Sequence, residues 1–69
     1  MTAGYSIKMS LDGKWVLFFL VSGVIDTSAY GTNGTGCKVY DTKEKAELAG
    51  KRYLKRMSKN GFDCDKYNF

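Results

Sequence analysis

The feature that most constrains this fold is an uninterrupted apolar run, Trp15–Val21, which reads WVLFFLV. A helix that spans a membrane needs roughly 20 apolar residues, so this run is too short to be one. Its Val and Phe content, together with the flanking Asp12-Gly13 and Ser22-Gly23 pairs, predicts a β-strand. Successive side chains of a strand point to opposite faces, so both faces of this strand are apolar.

A second strand precedes the run and pairs with it in a hairpin. Apolar and polar residues alternate from Tyr5 to Ser10, which predicts a half-buried strand. Asp12-Gly13 favours a tight turn, and a loop of either two or four residues places Ile7 opposite Phe18. In that register the side chains that face the core are Tyr5, Ile7, Met9, Val16, Phe18 and Leu20.

The same register predicts an apolar face on the outer side of the sheet, formed by Trp15, Leu17, Phe19 and Val21. A chain of 69 residues has room for one sheet and one helix over a single core. Exposed apolar patches on small proteins usually mark interfaces, and Trp and Phe are favoured anchors. We therefore predict that this face binds a protein partner or a second copy of the chain. In the alternative, the loop 23–36 or residues 67–69 fold across it.

The segment after Ser22 is rich in Gly, Thr and Ser. Val24-Ile25 predicts a short strand, and Asn33-Gly34 predicts a turn within a mobile loop. A phosphate-binding loop would require a Lys-Ser/Thr pair and a helix directly after it, and the segment has neither. Cys37–Tyr40 predicts a further strand, with either Val39 or its two neighbours facing inward.

One amphipathic helix is predicted from about Thr42 to Lys59, capped by Asp41 or Thr42 and ended by Asn60-Gly61. A last edge strand is predicted from Phe62 to Tyr67, with Cys64 inward and Asp63 and Asp65 outward. The order β-β-(β)-β-α-β predicts an α+β fold: a small antiparallel sheet of three to five strands with one helix on one face. The inward stripe of the helix is Ala46, Ala49, Gly50, Tyr53, Leu54 and Met57.

The opposite face of the helix is basic and suggests a second contact surface. It has the spacing of an electrostatic footprint for nucleic acid or for an acidic protein surface. The simpler alternative is a solvated helix whose cations favour its C-terminal end. Leu48 within the stripe favours a protein contact. The predicted partner-binding residues are therefore Trp15, Leu17, Phe19, Val21, Lys45, Leu48, Arg52, Arg56 and Lys59.

Composition argues against catalysis. The chain has 11 Lys and Arg, 7 Asp and Glu, no His and a net charge of +4, so the usual general base and imidazole ligand are missing. Cys37 and Cys64 form no C-x-x-C pattern and are expected to be reduced thiols. We expect no enzyme activity, cofactor, metal or small-molecule substrate. Lys8 and Asp12 interrupt any apolar leader, so we expect one cytoplasmic domain that does not contact membranes.

Two segments resemble known families. The stretch IKMSLDGKWVLFFLVSGVIDTSAY (residues 7–30) resembles the opening of the bacterial YegP-like ββα repeat, which follows a D-G-x-(aromatic) hairpin with a later Gly-to-Tyr segment. The stretch VYDTKEKA (residues 39–46) is similar to the helix entry of the arm-type DNA-binding domains of phage integrases. That second resemblance implies three strands, then a helix, and a sheet face that contacts DNA.

The predicted architecture also resembles the short stand-alone proteins of phages and mobile elements, many of which block a host enzyme or defence complex. We therefore hypothesise a non-enzymatic phage inhibitor that occludes a host protein through its outer sheet face and basic helix flank. One alternative is a nucleic-acid-binding module that uses the same cations with Trp15 or Tyr40 stacking. Another is a bacterial housekeeping domain.

Overall fold

The computed structural model describes residues 1–29 and 31–64, which form a five-stranded sheet and one helix. This is the α+β fold that the sequence predicts. In chain order the elements are β1 (Thr2–Met9), β2 (Trp15–Val21), β3 (Val24–Ile25), β4 (Cys37–Tyr40), α1 (Lys43–Lys59) and β5 (Asp63–Cys64).

The apolar strand β2 lies at the centre of the sheet. It pairs antiparallel with β1 along one edge, and with both β3 and β4 along the other. The loop 26–36 separates β3 from β4, which follow one another along the same side of β2. On the far side of β1, β5 pairs parallel to it, so the sheet is mixed rather than wholly antiparallel. Helix α1 supplies the long crossover that a parallel strand requires.

The register of the β1–β2 hairpin differs by one residue from the predicted one, because its loop has an odd length. Ile7 lies opposite Leu17, not Phe18. The Ser10 N–H donates to the Lys14 carbonyl at 2.7 Å, and the Gly13 N–H donates to the Ser10 carbonyl at 3.1 Å. With Gly13 at φ +83°, this is a three-residue loop that ends in a glycine bulge. The predicted register is therefore wrong. A shift of one residue moves every side chain of β2 to the opposite face of the sheet.

The core therefore lies under the face of β2 that was predicted to be exposed. Leu17 is 0 % exposed and Phe19 is 5 % exposed, and both belong to one cluster with Tyr5 and Tyr53. The side chains predicted to face the core from β2 are Val16, Phe18 and Leu20, and they point to the other side of the sheet. There Leu20 is nonetheless buried, at 1 % exposed, whereas Val16 and Phe18 are half-buried. Met9 stays on the helix side but is exposed, because it lies at the tip of the hairpin.

Helix α1 begins and ends where the sequence predicts. Of the two candidate caps, Thr42 is the one used: its hydroxyl accepts a hydrogen bond from the Lys45 N–H at 3.2 Å. Asn60 is the C-cap residue. The predicted inward stripe is confirmed, since Ala46, Gly50 and Tyr53 are buried and Ala49, Leu54 and Met57 pack against the core.

The structure tests three further predictions, on the loop 26–36, β4 and β5. The Asn33-Gly34 turn forms, with both residues at positive φ. Of the two orientations of β4, the observed one places Val39 on the face away from the helix, where it is exposed. Cys64 pairs with the buried Ala3 and its thiol donates to the Leu54 carbonyl of α1 at 3.1 Å, so it faces the helix as predicted, although it stays exposed at the edge formed by β5. The remainder of the last predicted strand, residues 65–67, lies outside the described residues, as do residues 68–69.

Candidate cationic pocket

A pocket of about 260 Å³ opens between β4 and α1. The strand contributes Lys38 and Tyr40, which lie opposite Leu17 and Trp15 of β2 and so point to the helix side of the sheet. The helix contributes Arg52 and Arg56, which are four residues apart and therefore lie on one face. The complete lining is Phe19, Lys38, Tyr40, Ala49, Arg52, Tyr53 and Arg56.

Two packed aromatic rings form the floor of this pocket. The ring centroids of Phe19 and Tyr53 are 4.7 Å apart, with an interplanar angle of 55°. Both side chains are nearly fully buried, so they fix the depth of the pocket rather than offer a free ring face. The half-buried Tyr40 is the ring that remains accessible at the rim.

The pocket is electropositive because three of its lining side chains, Lys38, Arg52 and Arg56, are cationic and none is acidic. Within residues 1–29 and 31–64 a single ion pair forms, between Lys14 Nζ and Asp41 Oδ1 at 3.0 Å. Neither Lys38 nor Arg52 pairs with a carboxylate in that part of the chain. Burial raises the pKa of the Tyr40 hydroxyl, while the charge of Arg52 opposes that rise. The pocket can therefore hold an anion, or a carboxylate-bearing side chain, beside an aromatic surface.

The Tyr53 hydroxyl ties the loop 26–36 to the back of the pocket. It donates to Asp26 Oδ2 at 3.0 Å and lies 3.3 Å from the Leu20 carbonyl oxygen. Asp26 also accepts from the backbone N–H of Ser28 at 3.1 Å and from its hydroxyl. Burial, and then the bond to Asp26, raises the pKa of Tyr53. The loop packs inward here, since Ala29 belongs to the core cluster.

Replacing Tyr53 by phenylalanine should lower the free energy of unfolding by about 1–2 kcal/mol, because the part-buried Asp26 carboxylate loses its hydrogen-bond donor on α1. Urea denaturation followed by circular dichroism measures this loss. Tyr40→Phe is the matched control and should cost less than about 0.5 kcal/mol, because the hydroxyl of Tyr40 has no partner among the described residues. Equal losses in the two variants would contradict the anchoring role of Tyr53.

The structure brings together only part of the predicted basic face. Arg52 and Arg56 line the pocket, whereas Lys45, Lys59 and the half-exposed Leu48 lie on the helix outside the lining. Sequence reasoning missed Lys38 and Tyr53 as members of this site, and it assigned Phe19 to the apolar outer face of the sheet instead. The alternation of Lys38 and Tyr40 before a basic helix is the signal that could have located the strand side of the pocket.

The predicted apolar interface is not available for contact. Leu17 and Phe19 are buried under α1, while Trp15 and Val21 are half-buried at the two ends of β2. The shifted hairpin register is the physical reason, since it turns these four side chains toward the helix. The Nζ atom of Lys43 lies 5.8 Å from the centre of the Trp15 ring, a cation–π contact at the start of the helix.

No family model matches the sequence, and no curated protein or solved structure is significantly similar to it. No helix in the described part of the chain is long and apolar enough to cross a membrane. Over the same residues, no group of three or more Cys, Asp or Glu side chains is placed to hold a metal ion.

Proposed function

We propose that the protein is a small non-enzymatic binding protein that holds an acidic segment of a protein partner in the cationic pocket. The observation that carries this proposal is the convergence of Lys38, Arg52 and Arg56 around an aromatic floor. Arg guanidinium groups bind carboxylates through two parallel hydrogen bonds, which gives such a pocket both affinity and orientation. A pocket of about 260 Å³ has room for one or two side chains.

The partner class follows from the fold-level resemblance to short phage and mobile-element proteins. On that basis the partner is a host enzyme or a defence complex in the cytoplasm, and binding occludes an acidic surface that this partner needs. The proposed contact surface is the pocket and not the outer sheet face predicted from the sequence, because Leu17 and Phe19 belong to the core. The basic helix flank is retained through Arg52 and Arg56.

Reversing the two pocket arginines should abolish binding of an acidic peptide. The probe is a fluorescein-labelled, capped peptide of alternating glutamate and valine, titrated at low ionic strength with anisotropy as the readout. Arg52→Glu with Arg56→Glu should weaken binding by about tenfold or more, since two attractive contacts become repulsive. Raising the salt concentration should weaken wild-type binding, because exposed charges are screened beyond roughly 8 Å at physiological ionic strength.

The matched control is Lys51→Glu with Lys55→Glu. These residues are exposed on the same helix and change the net charge equally, but they do not line the pocket. The control should weaken binding by less than about threefold. If both double variants lose affinity equally, net charge and not the pocket holds the peptide. If the wild type does not bind the peptide, the proposal fails.

A nucleic-acid-binding module is the second candidate, and the position of Tyr40 favours it. The ring of Tyr40 is accessible at the rim of the pocket beside Lys38 and Arg52, which is the arrangement of a stacking platform with phosphate contacts. Single-stranded oligothymidylate in the same titration separates the two functions. Tighter binding of the oligonucleotide than of the peptide, lost in Tyr40→Ala, would favour this candidate over a protein partner.

A further inference from the structure

We infer that the acidic segment binds in an extended conformation and pairs with the edge of β4 that faces away from β2. This inference rests on the proposed function and names how the partner engages the pocket. The expected ligand is an extended peptide with an acidic–apolar–acidic sequence. Its backbone would pair at Val39 and its acidic side chains would enter the pocket.

The hydrogen-bond pattern of the sheet shows which residues of β4 face its open edge. The Phe19 N–H donates to the Gly36 carbonyl at 2.9 Å, so Phe19 and Gly36 are a hydrogen-bonded pair. In an antiparallel pair such positions alternate, so Lys38 and Tyr40 also direct their backbone groups to β2. Val39 and Cys37 therefore direct their N–H and carbonyl groups away from β2, to the edge.

Thr35 already occupies part of that edge. Its hydroxyl donates to the Thr32 carbonyl at 2.6 Å, accepts from the Cys37 N–H at 3.4 Å and lies 3.1 Å from the Cys37 carbonyl oxygen. No described residue plays this part for Val39, whose side chain is 60 % exposed. An incoming strand can thus form one hydrogen-bonded pair, at Val39, without displacing Thr35.

The two faces of the sheet determine the sequence of the incoming strand. A residue paired with Val39 would share its face, next to Val16, where an apolar side chain covers exposed apolar surface. The residues before and after it would point to the helix side, toward Lys38 and Arg52. The carboxylate of Asp41, the residue that follows β4, is already paired with Lys14, so it opposes an acidic ligand less than a free charge would.

Amide hydrogen exchange followed by NMR tests this pairing directly. Adding the alternating glutamate–valine peptide should slow exchange of the Val39 N–H by at least about tenfold. Exchange at Lys38, whose N–H already bonds to β2, should stay unchanged. A peptide of alternating lysine and valine is the control probe and should slow neither amide.

Val39→Pro removes the outward N–H without breaking a bond to β2, and it should weaken peptide binding about two- to tenfold. Val39→Ala keeps the N–H and should change affinity less than about twofold. Circular dichroism verifies that both variants fold. If Val39→Pro does not fold, the hydrogen-exchange measurement on the wild type alone tests strand pairing at Val39.

The outcomes separate this inference from the function on which it rests. If the peptide binds through Arg52 and Arg56 but the Val39 amide exchanges at its free rate, strand pairing is overturned and the pocket proposal stands. If the peptide does not bind at all, both fail. Protection at Val39 together with loss of affinity in Val39→Pro supports strand pairing at the β4 edge.

Discussion

Replacing Leu17 by lysine should unfold the protein. Leu17 is fully buried on the face of β2 that packs under α1. Removing a buried leucine side chain costs about 2–5 kcal/mol, and an unpaired buried ammonium group costs several more. Domains of this size are stabilised by only about 3–5 kcal/mol, so the variant should lose its helical circular dichroism signal at 25 °C.

Val16→Lys is the matched control, because Val16 is the adjacent residue on the other face of the same strand. Val16 is half-buried and pairs with Lys8 and Val39, so a lysine there can extend into solvent. We expect this variant to stay folded and to lose less than about 1.5 kcal/mol. The register with Ile7 opposite Phe18 would give the reverse ranking, with Val16→Lys unfolded and Leu17→Lys folded. That result would contradict the observed register, in which Ile7 lies opposite Leu17.

The sequence predicts the elements well because the signals that define them are local. The two ends of the helix, at Thr42 and Asn60-Gly61, could be predicted from the sequence. A capping hydroxyl and a C-terminal Gly affect only the adjacent turn of the helix. The register of β1 on β2 could not be derived in the same way. β2 is apolar on both faces, so hydrophobic alternation does not decide which face is buried.

The side-chain hydrogen bonds within the hairpin loop determine its length and therefore the register. Ser10 donates its hydroxyl to the Asp12 carboxylate, and the Lys14 N–H donates to the same carboxylate at 3.3 Å. These bonds lower the pKa of Asp12, with that from Ser10 contributing most. They favour the three-residue loop in which Gly13 takes the left-handed position. A Ser-x-Asp-Gly sequence is therefore better interpreted as an odd loop than as a two-residue turn.

The candidate site was half predictable for a related reason. The helical period alone places Arg52 and Arg56 on one face, and the sequence predicted both as binding residues. Whether Lys38 points toward the helix depends on the orientation of β4. The sequence of that strand, only four residues long, is compatible with both orientations. Its place in the pocket follows only from pairing with Leu17, a long-range contact that no local pattern encodes.

Replacing Gly50 by valine should destabilise the protein by about 3 kcal/mol or more, because the helix lies directly on the Tyr5 ring at this point. A Cβ atom at Gly50 would lie 2.6–2.8 Å from three ring atoms of Tyr5. Tyr5 is 3 % exposed and cannot swing away. Glycine is otherwise unfavourable within a helix by about 1 kcal/mol, so propensity alone would predict that Gly50→Val is neutral or stabilising.

Thermal and urea denaturation of Gly50→Ala and Gly50→Val, with Ser58→Val as the exposed control, separate packing from propensity. Stability should fall in the order Gly, Ala, Val at position 50, while Ser58→Val should change it by less than about 0.5 kcal/mol. Combining Gly50→Val with Tyr5→Ala should cost less than the sum of the two single changes, because the smaller side chain removes the overlap. Strict additivity would mean that the helix and Tyr5 do not meet at Gly50. The spacing of Arg52 and Arg56 from Lys38 across the pocket would then need a different structural basis.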